Sequence, residues 1–151
     1  MKKVLLALGS NLGNRIQNIN TSLKLLKSVG NVIDTGLLYE TKPAYNENQG
    51  GFLNSAVMIE TSLEPDSLLQ KCKEIERTLG RTYNPNVPKG PRVIDIDIVF
   101  YDNVNYQTEN LTIPHPAVQE RDFVLAPLRD FCPEWKHPIL NKTIEVSVVL
   151  C

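Results

Sequence analysis

Cysteine is scarce in this sequence: Cys72, Cys132 and Cys151 are odd in number, far apart and form no CxxC pair. That pattern argues against a disulfide framework and against a cysteine-ligated zinc site. It fits a reducing compartment, so a soluble, cytoplasmic protein is expected. Long hydrophobic runs are missing as well, and no stretch approaches the ~20 apolar residues of a membrane helix. Met1–Leu8 briefly resembles a signal peptide, but the apolar run is short and Gly9-Ser10-Asn11 cuts it off. There is no excess of one charge, the formal net charge being −1. Neither non-specific nucleic-acid binding nor attachment to an anionic membrane surface is expected, and no aromatic-basic surface motif is present. Repeats, low-complexity tracts and linkers are also lacking. A chain of 151 residues then reads as one domain, 1–151.

What is present alternates between strand and helix signals. Val4–Leu8 is a short apolar run typical of a buried strand. Gly9-Ser10-Asn11-Leu12-Gly13-Asn14 turns the chain, and Ile16, Ile19, Leu23 and Leu26 then recur at helical spacing, predicting a helix over about 15–28. Residues 32–40 and 52–62 read as strands, separated by a polar loop, 41–51, long enough to carry function. Pro65 opens a second helix with Leu68, Leu69, Cys72, Ile75 and Leu79 on its buried stripe, and Gly80 stops it. A second long loop, 81–92, precedes a strand over 93–101. The proline-rich remainder predicts short elements over the core, with a helix near 119–130. The order βαββαβ plus a tail predicts an α+β, ferredoxin-like fold: an antiparallel sheet with two helices on one face.

The sharpest chemical feature is Asp95-Ile96-Asp97. Strand alternation puts Ile94, Ile96, Ile98 and Phe100 on the core face and both aspartates on the other. The two aspartate Cα atoms are roughly 6.6 Å apart, and at ~6 Å and an effective dielectric of ~20 the charges repel by about 2–3 kcal/mol. A hard cation such as Mg²⁺ would offset that repulsion; an acidic, solvated strand face is the competing reading. Arg81, Arg92, His115 and Arg121 surround the pair in sequence, and arginine forks match phosphate oxygens. Carboxylate-held Mg²⁺ with arginines around a polyphosphate is the equipment of phosphoryl transfer. The Gly9–Asn14 segment lacks the spacing of a phosphate-binding motif and reads better as a tight turn and helix cap. Phe52 and Phe123 read as core, or as two halves of a stacking slot for a flat heterocycle.

Taken together these residues resemble a known family. Gly90-Pro91-Arg92-Val93-Ile94-Asp95-Ile96-Asp97-Ile98 is similar to the signature of the 6-hydroxymethyl-7,8-dihydropterin pyrophosphokinases. So are Ala7–Gly13, Phe52–Val57, Ile75-Glu76-Arg77 with Gly80-Arg81, Ile113–Pro116 and Arg121–Leu128. The matches run in order over nearly the whole chain. The resemblance implies transfer of the terminal pyrophosphoryl group of ATP to the pterin's hydroxymethyl oxygen, leaving AMP, in folate biosynthesis. It implies that Asp95 and Asp97 hold two Mg²⁺ ions and that Arg81 and Arg92 clamp phosphate oxygens. His115 and Arg121 would support the nucleotide, with Glu76, Ile98 and Thr112 near the adenosine. Phe52 and Phe123 would sandwich the pterin, with Asn54, backbone near Thr41, Pro43 and Ala44, and Asp95 around it. The loops 41–51 and 81–92 would close and exclude water. ATP and the pterin are then the expected partners, with no nucleic acid and no membrane, and a monomer is expected.

Three residues depart from the family pattern: Lys89 stands where tryptophan is frequent, Tyr83 where a further arginine is common, and Phe52 where tyrosine is frequent. The same residues admit two rival classes. A different Mg²⁺-dependent nucleotidyl or phosphoryl transferase would use the paired aspartates on another substrate. A non-catalytic ferredoxin-like module would leave them merely exposed and bind no nucleotide.

Overall fold

The computed structural model describes residues 1–41, 51–80, 93–116, 118 and 122–144, the side chains of Asp122 and Phe123 excepted. Strand β1 (Lys2–Ser10) lies at the middle of the sheet because Val4–Ser10 is apolar or small on both faces and buried throughout. Helix α1 (Arg15–Leu26) comes next, with the Asn14 side chain accepting the Gln17 N–H as N-cap, as the turn-and-cap reading predicts. Strands β2 (Asn31–Thr35), β3 (Tyr39–Thr41) and β4 (Phe52–Thr61) come after it. Helix α2 (Pro65–Thr78) has proline in its first turn, and Gly80 ends it at φ 102°. Strand β5 (Asp95–Tyr101), the two-residue strands β6 (Tyr106–Gln107) and β7 (Thr112–Ile113), and helix α3 (Asp122–Arg129) complete the order.

The antiparallel sheet runs β2-β4-β1-β5, and β3 also pairs with β4. This is the α+β, ferredoxin-like arrangement expected from element order. On one face, Val4, Leu6 and Leu8 meet Ile19 and Leu26 of α1 and Leu68, Cys72 and Ile75 of α2. The α2 positions recur at i, i+4 and i+7, so a single stripe of the helix is buried. Each fully buried leucine or isoleucine contributes roughly 1.5–3 kcal/mol of transfer free energy. On the other face, Leu5, Ala7, Ala56 and Met58 are covered by Val124, Leu125 and Leu128 of α3. Among the described residues no helix is long and apolar enough to cross a membrane.

Two sequence expectations are corrected. The strand expected over 32–40 is two strands: Gly36 donates to the Ala56 carbonyl, and the Asp130 carboxylate then captures both the Leu37 N–H and the Tyr39 hydroxyl. That anchor at the end of α3 turns the chain between β2 and β3. Phe100 does not share a face with Ile94, Ile96 and Ile98. The β1–β5 register pairs Leu6 with Ile98 but Leu5 with Phe100. One extra residue, Val99, is therefore accommodated by a bulge, which re-aims the side chains beyond it. Phe100 consequently packs under α3 and edge-on to His137, with ring centroids 5.6 Å apart. The β6–β7 pair has no counterpart among the expected elements; two-residue strands carry too little periodicity to be read.

Candidate active site

Strand register, read residue by residue, brings the candidate residues onto one face. In antiparallel pairs, directly opposed residues project to the same side. Asp95 opposes Gly9, and Asp97 opposes Ala7. Across β1, Gly9 opposes Asn54 and Ala7 opposes Ala56. Beyond β4, Asn54 opposes Tyr39 and Phe52 opposes Thr41. Asp95, Gly9 and Asn54 therefore form a row across three strands, roughly 10 Å from end to end at ordinary strand spacing. This is the α3 face of the sheet, because Ala7 and Ala56 in the neighbouring row pack under α3.

Gly9 lets the amide and aromatic end of that row pack closely onto β1. An added Cβ would lie 3.3 Å from the Asn54 Oδ1 and 3.5 Å from the Phe52 Cδ1. With only hydrogen there, the Asn54 amide and the Phe52 ring close over buried Gly9, beside the acidic end of the row. Asn54 is buried, 6% exposed, and its Nδ2 donates to the Thr41 Oγ1 at 2.9 Å. Its amide is thereby oriented, with the carbonyl oxygen near Gly9. Phe52 is half-buried, and so are both aspartates. The half-burial of Phe52 departs from the core reading of that residue and leaves part of its ring available for contact.

The outer edge of β5 collects a second group. By alternation, the backbone groups of Ile94, Ile96 and Ile98 point away from β1. The Ile96 N–H is capped by the Glu76 carboxylate at 2.8 Å. Glu76 is itself 7% exposed, so a buried side chain of α2 fixes the peptide between the two aspartates. The His115 N–H donates to the Val99 carbonyl at 3.0 Å, and Ile113–Pro114 is a cis peptide. This edge contact brings the segment with Thr112 and His115 alongside β5. The side chain of Ile98 is buried in the α1–α2 core, so only its main chain can face a ligand there.

Arg81, Arg92 and Arg121, together with Pro43, Ala44, Tyr83 and Lys89, lie outside the described residues. The two long loops expected as lids fall there too, apart from their end residues Thr41 and Gly51. Phe123 stands in the first turn of α3, and its side chain is outside the described set. Among the described residues no group of three or more histidine, cysteine or acidic side chains forms a metal cluster. The oxygen-only Asp95–Asp97 pair suits Mg²⁺ nonetheless, which ordinarily takes one or two carboxylates and completes its shell with water and substrate phosphates. Burial pushes the Cys72 thiol up to about 12, with Glu76 and Asp97 adding to the effect. That thiol beneath the sheet is thus no candidate nucleophile.

Sequence reasoning misses the close packing at Gly9 and the role of Glu76 as a cap on the Ile96 N–H. Gly9 reads there only as part of a turn, and Glu76 enters only through the resemblance. An isolated glycine ending an otherwise apolar strand is the signal that could expose Gly9, since it often marks close approach of a ligand or chain.

Residues 5–133 match the family model described as 7,8-dihydro-6-hydroxymethylpterin-pyrophosphokinase. The chain is 45% identical over 140 residues to the folic acid synthesis protein FOL1 of Dictyostelium discoideum, covering 93% of this chain and 21% of that one. It is 44% identical over 131 residues to the 2-amino-4-hydroxy-6-hydroxymethyldihydropteridine pyrophosphokinase of Bacillus subtilis, covering 85% of this chain and 77% of that protein. A crystal structure of Plasmodium falciparum HPPK-DHPS with pteroate superposes with a TM-score of 0.79 at 21% identity, over 97% of this chain and 41% of that one. The chain therefore spans about a fifth of the length of the FOL1 relative and most of the Bacillus protein.

Proposed function

The chain belongs to the 7,8-dihydro-6-hydroxymethylpterin-pyrophosphokinase family, and from that premise we propose that it transfers pyrophosphate from ATP to 6-hydroxymethyl-7,8-dihydropterin. In the reaction the hydroxymethyl oxygen forms a bond to the β-phosphorus of ATP. The bond from that phosphorus to the α–β bridging oxygen breaks, the hydroxyl proton is released, and AMP leaves. The row Asp95–Gly9–Asn54 carries this reading. It sets an anionic end suited to metal-bound phosphates beside an amide and aromatic end suited to a flat, hydrogen-bonding heterocycle.

Asn54 would hold the pterin's edge with its oriented amide, Phe52 and Phe123 its faces, and Thr41, Pro43 and Ala44 its rim. Asp95 and Asp97 would hold two Mg²⁺ ions, whose chemistry there is to neutralise charge on the phosphates and acidify the attacking hydroxyl. Asp95, opposite Gly9, would stand where the hydroxymethyl arm and the metal site meet. Arg81, Arg92, His115 and Arg121 would clamp the phosphates. Thr112 and the Ile98 main chain would line the adenosine side along the outer edge of β5, with Glu76 bracing that edge at Ile96. Alignment of two substrates along one row would supply much of the acceleration, since it turns a bimolecular encounter into a positioned one.

The buried free thiols Cys72 and Cys132 accord with a reducing cytoplasm. The test is incubation with ATP, Mg²⁺ and the dihydropterin, with products separated chromatographically. AMP and the pterin diphosphate are expected in equal amounts; ADP as the nucleotide product, or no pterin product, would overturn the assignment.

A further inference from the structure

Arg15, the first residue of α1, has no role in any step above. Its Nη1 donates to the Glu40 Oε1 at 2.8 Å and to the Gly51 carbonyl at 3.0 Å. Glu40 lies in β3 between Tyr39 and Thr41, whose partners on β4 are Asn54 and Phe52. Gly51 immediately precedes Phe52. One guanidinium nitrogen thus ties together the two strand ends that present Thr41 and Phe52. The strands are pressed close at this point: a Cβ on Gly51 would lie 2.6 Å from the Thr41 carbonyl oxygen.

The other end of the tie is also fixed. The Asn18 Nδ2 donates to the Ser10 Oγ at 3.1 Å and to the Leu12 carbonyl at 2.8 Å, and Asn14 caps the helix. Arg15 is therefore anchored to the turn that continues directly from Gly9. We infer that Arg15 is a positioning residue for the pterin half of the site, holding Thr41 and Phe52 at a set distance from Gly9. The inference rests on the reading of Phe52, Asn54 and Thr41 as the pterin side. As an ion pair Arg15–Glu40 is largely solvent-washed, with Glu40 64% exposed, and such pairs contribute little to stability. Its consequence is geometric, because small displacements of positioning groups are costly in rate.

The test is steady-state kinetics on Arg15→Ala, Arg15→Lys and Arg15→Ala/Glu40→Ala, with KM measured separately for pterin and for ATP. Arg15→Ala is expected to raise the pterin KM about tenfold, leaving the ATP KM within about twofold and Tm within about 2 °C. Lysine reaches one acceptor at a time and should recover part of the loss. The double variant should be no worse than Arg15→Ala alone, since the shared contact is already gone. An unchanged pterin KM in Arg15→Ala, or equal rises in both KM values, overturns the assignment. Should Arg15→Ala precipitate, Arg15→Lys decides by the same split. A wild-type chain that forms no AMP would instead sink the activity itself, and the Arg15 assignment with it.

Discussion

Replacing Gly9 by alanine separates the site's shape from the fold's stability. Gly9 has ordinary strand neighbours on both sides, pairing with Asn54 and Asp95. Its φ is not among the positive values, so alanine can adopt the backbone. Removing a glycine reduces the freedom of the unfolded chain and stabilises by about 0.4–1 kcal/mol. Against that, the new Cβ lies 3.3 Å from the Asn54 Oδ1 and 3.5 Å from the Phe52 Cδ1. The amide must move by a few tenths of an ångström, which weakens its 2.9 Å bond to Thr41; loss of one such bond costs about 1 kcal/mol. The two effects nearly cancel, so Tm should move by no more than about 4 °C. Pterin binding has no such compensation. The methyl pushes Asn54 and Phe52 outward, and on the proposed reading one or two hydrogen bonds from Asn54 to the ring would be lost or misaligned, about 1–3 kcal/mol or roughly 5- to 150-fold. Calorimetric titration with pterin, in the presence of a non-hydrolysable ATP analogue, alongside thermal melts reads both quantities. A variant that melts like wild type and binds pterin within twofold of wild type refutes the pterin role of this packing. So does a variant that loses ATP and pterin affinity equally.

Asp97→Ala should keep the fold, since the carboxylate is only half-buried, and should lower kcat by at least about a hundredfold; circular dichroism with an AMP-release assay checks both. Glu76→Ala leaves the Ile96 N–H without its 2.8 Å acceptor and should destabilise by about 1–3 kcal/mol, whereas Glu76→Gln keeps an oxygen acceptor and should lose much less; urea melts distinguish them, and equal losses would count against the cap. Burial lowers the pKa of His137 below its usual 6.5, and its Nδ1 accepts the N–H groups of Ile139 and Leu140, each at 3.1 Å. The folded state thus favours the neutral ring while the unfolded chain takes up the proton more readily, so stability rises with pH across this region. Tm should fall as pH drops below the unfolded value near 6.5 towards the lower folded one, and His137→Asn should flatten that part of the profile; an identical profile in the variant would refute it.

The 3.6-residue periodicity is strong in residues 15–26 and 65–78, where one face is buried against a partner, and there the elements are legible; residues 52–61, buried on both faces, are legible as an apolar and β-branched run with moderate alternation. The alternation of Asp95-Ile96-Asp97 also gives the face of the aspartates correctly, because register leaves a strand only two choices. The β2–β3 break depends on Asp130, almost a hundred residues away, and no local signal announces a long-range anchor. Phe100 is misplaced by alternation alone because a bulge is a property of two strands in register, not of one strand's pattern.

The sequence by itself determined the chemistry: an acidic pair of defined face, an amide, aromatic rings and a set of cations, each residue type carrying its reactivity wherever it is placed. Only the tertiary structure decided which of them meet. Pairing β1 between β4 and β5 set the hydrogen of Gly9 between Asp95 and Asn54, because antiparallel hydrogen bonding aligns residues from distant parts of the chain to within one strand spacing.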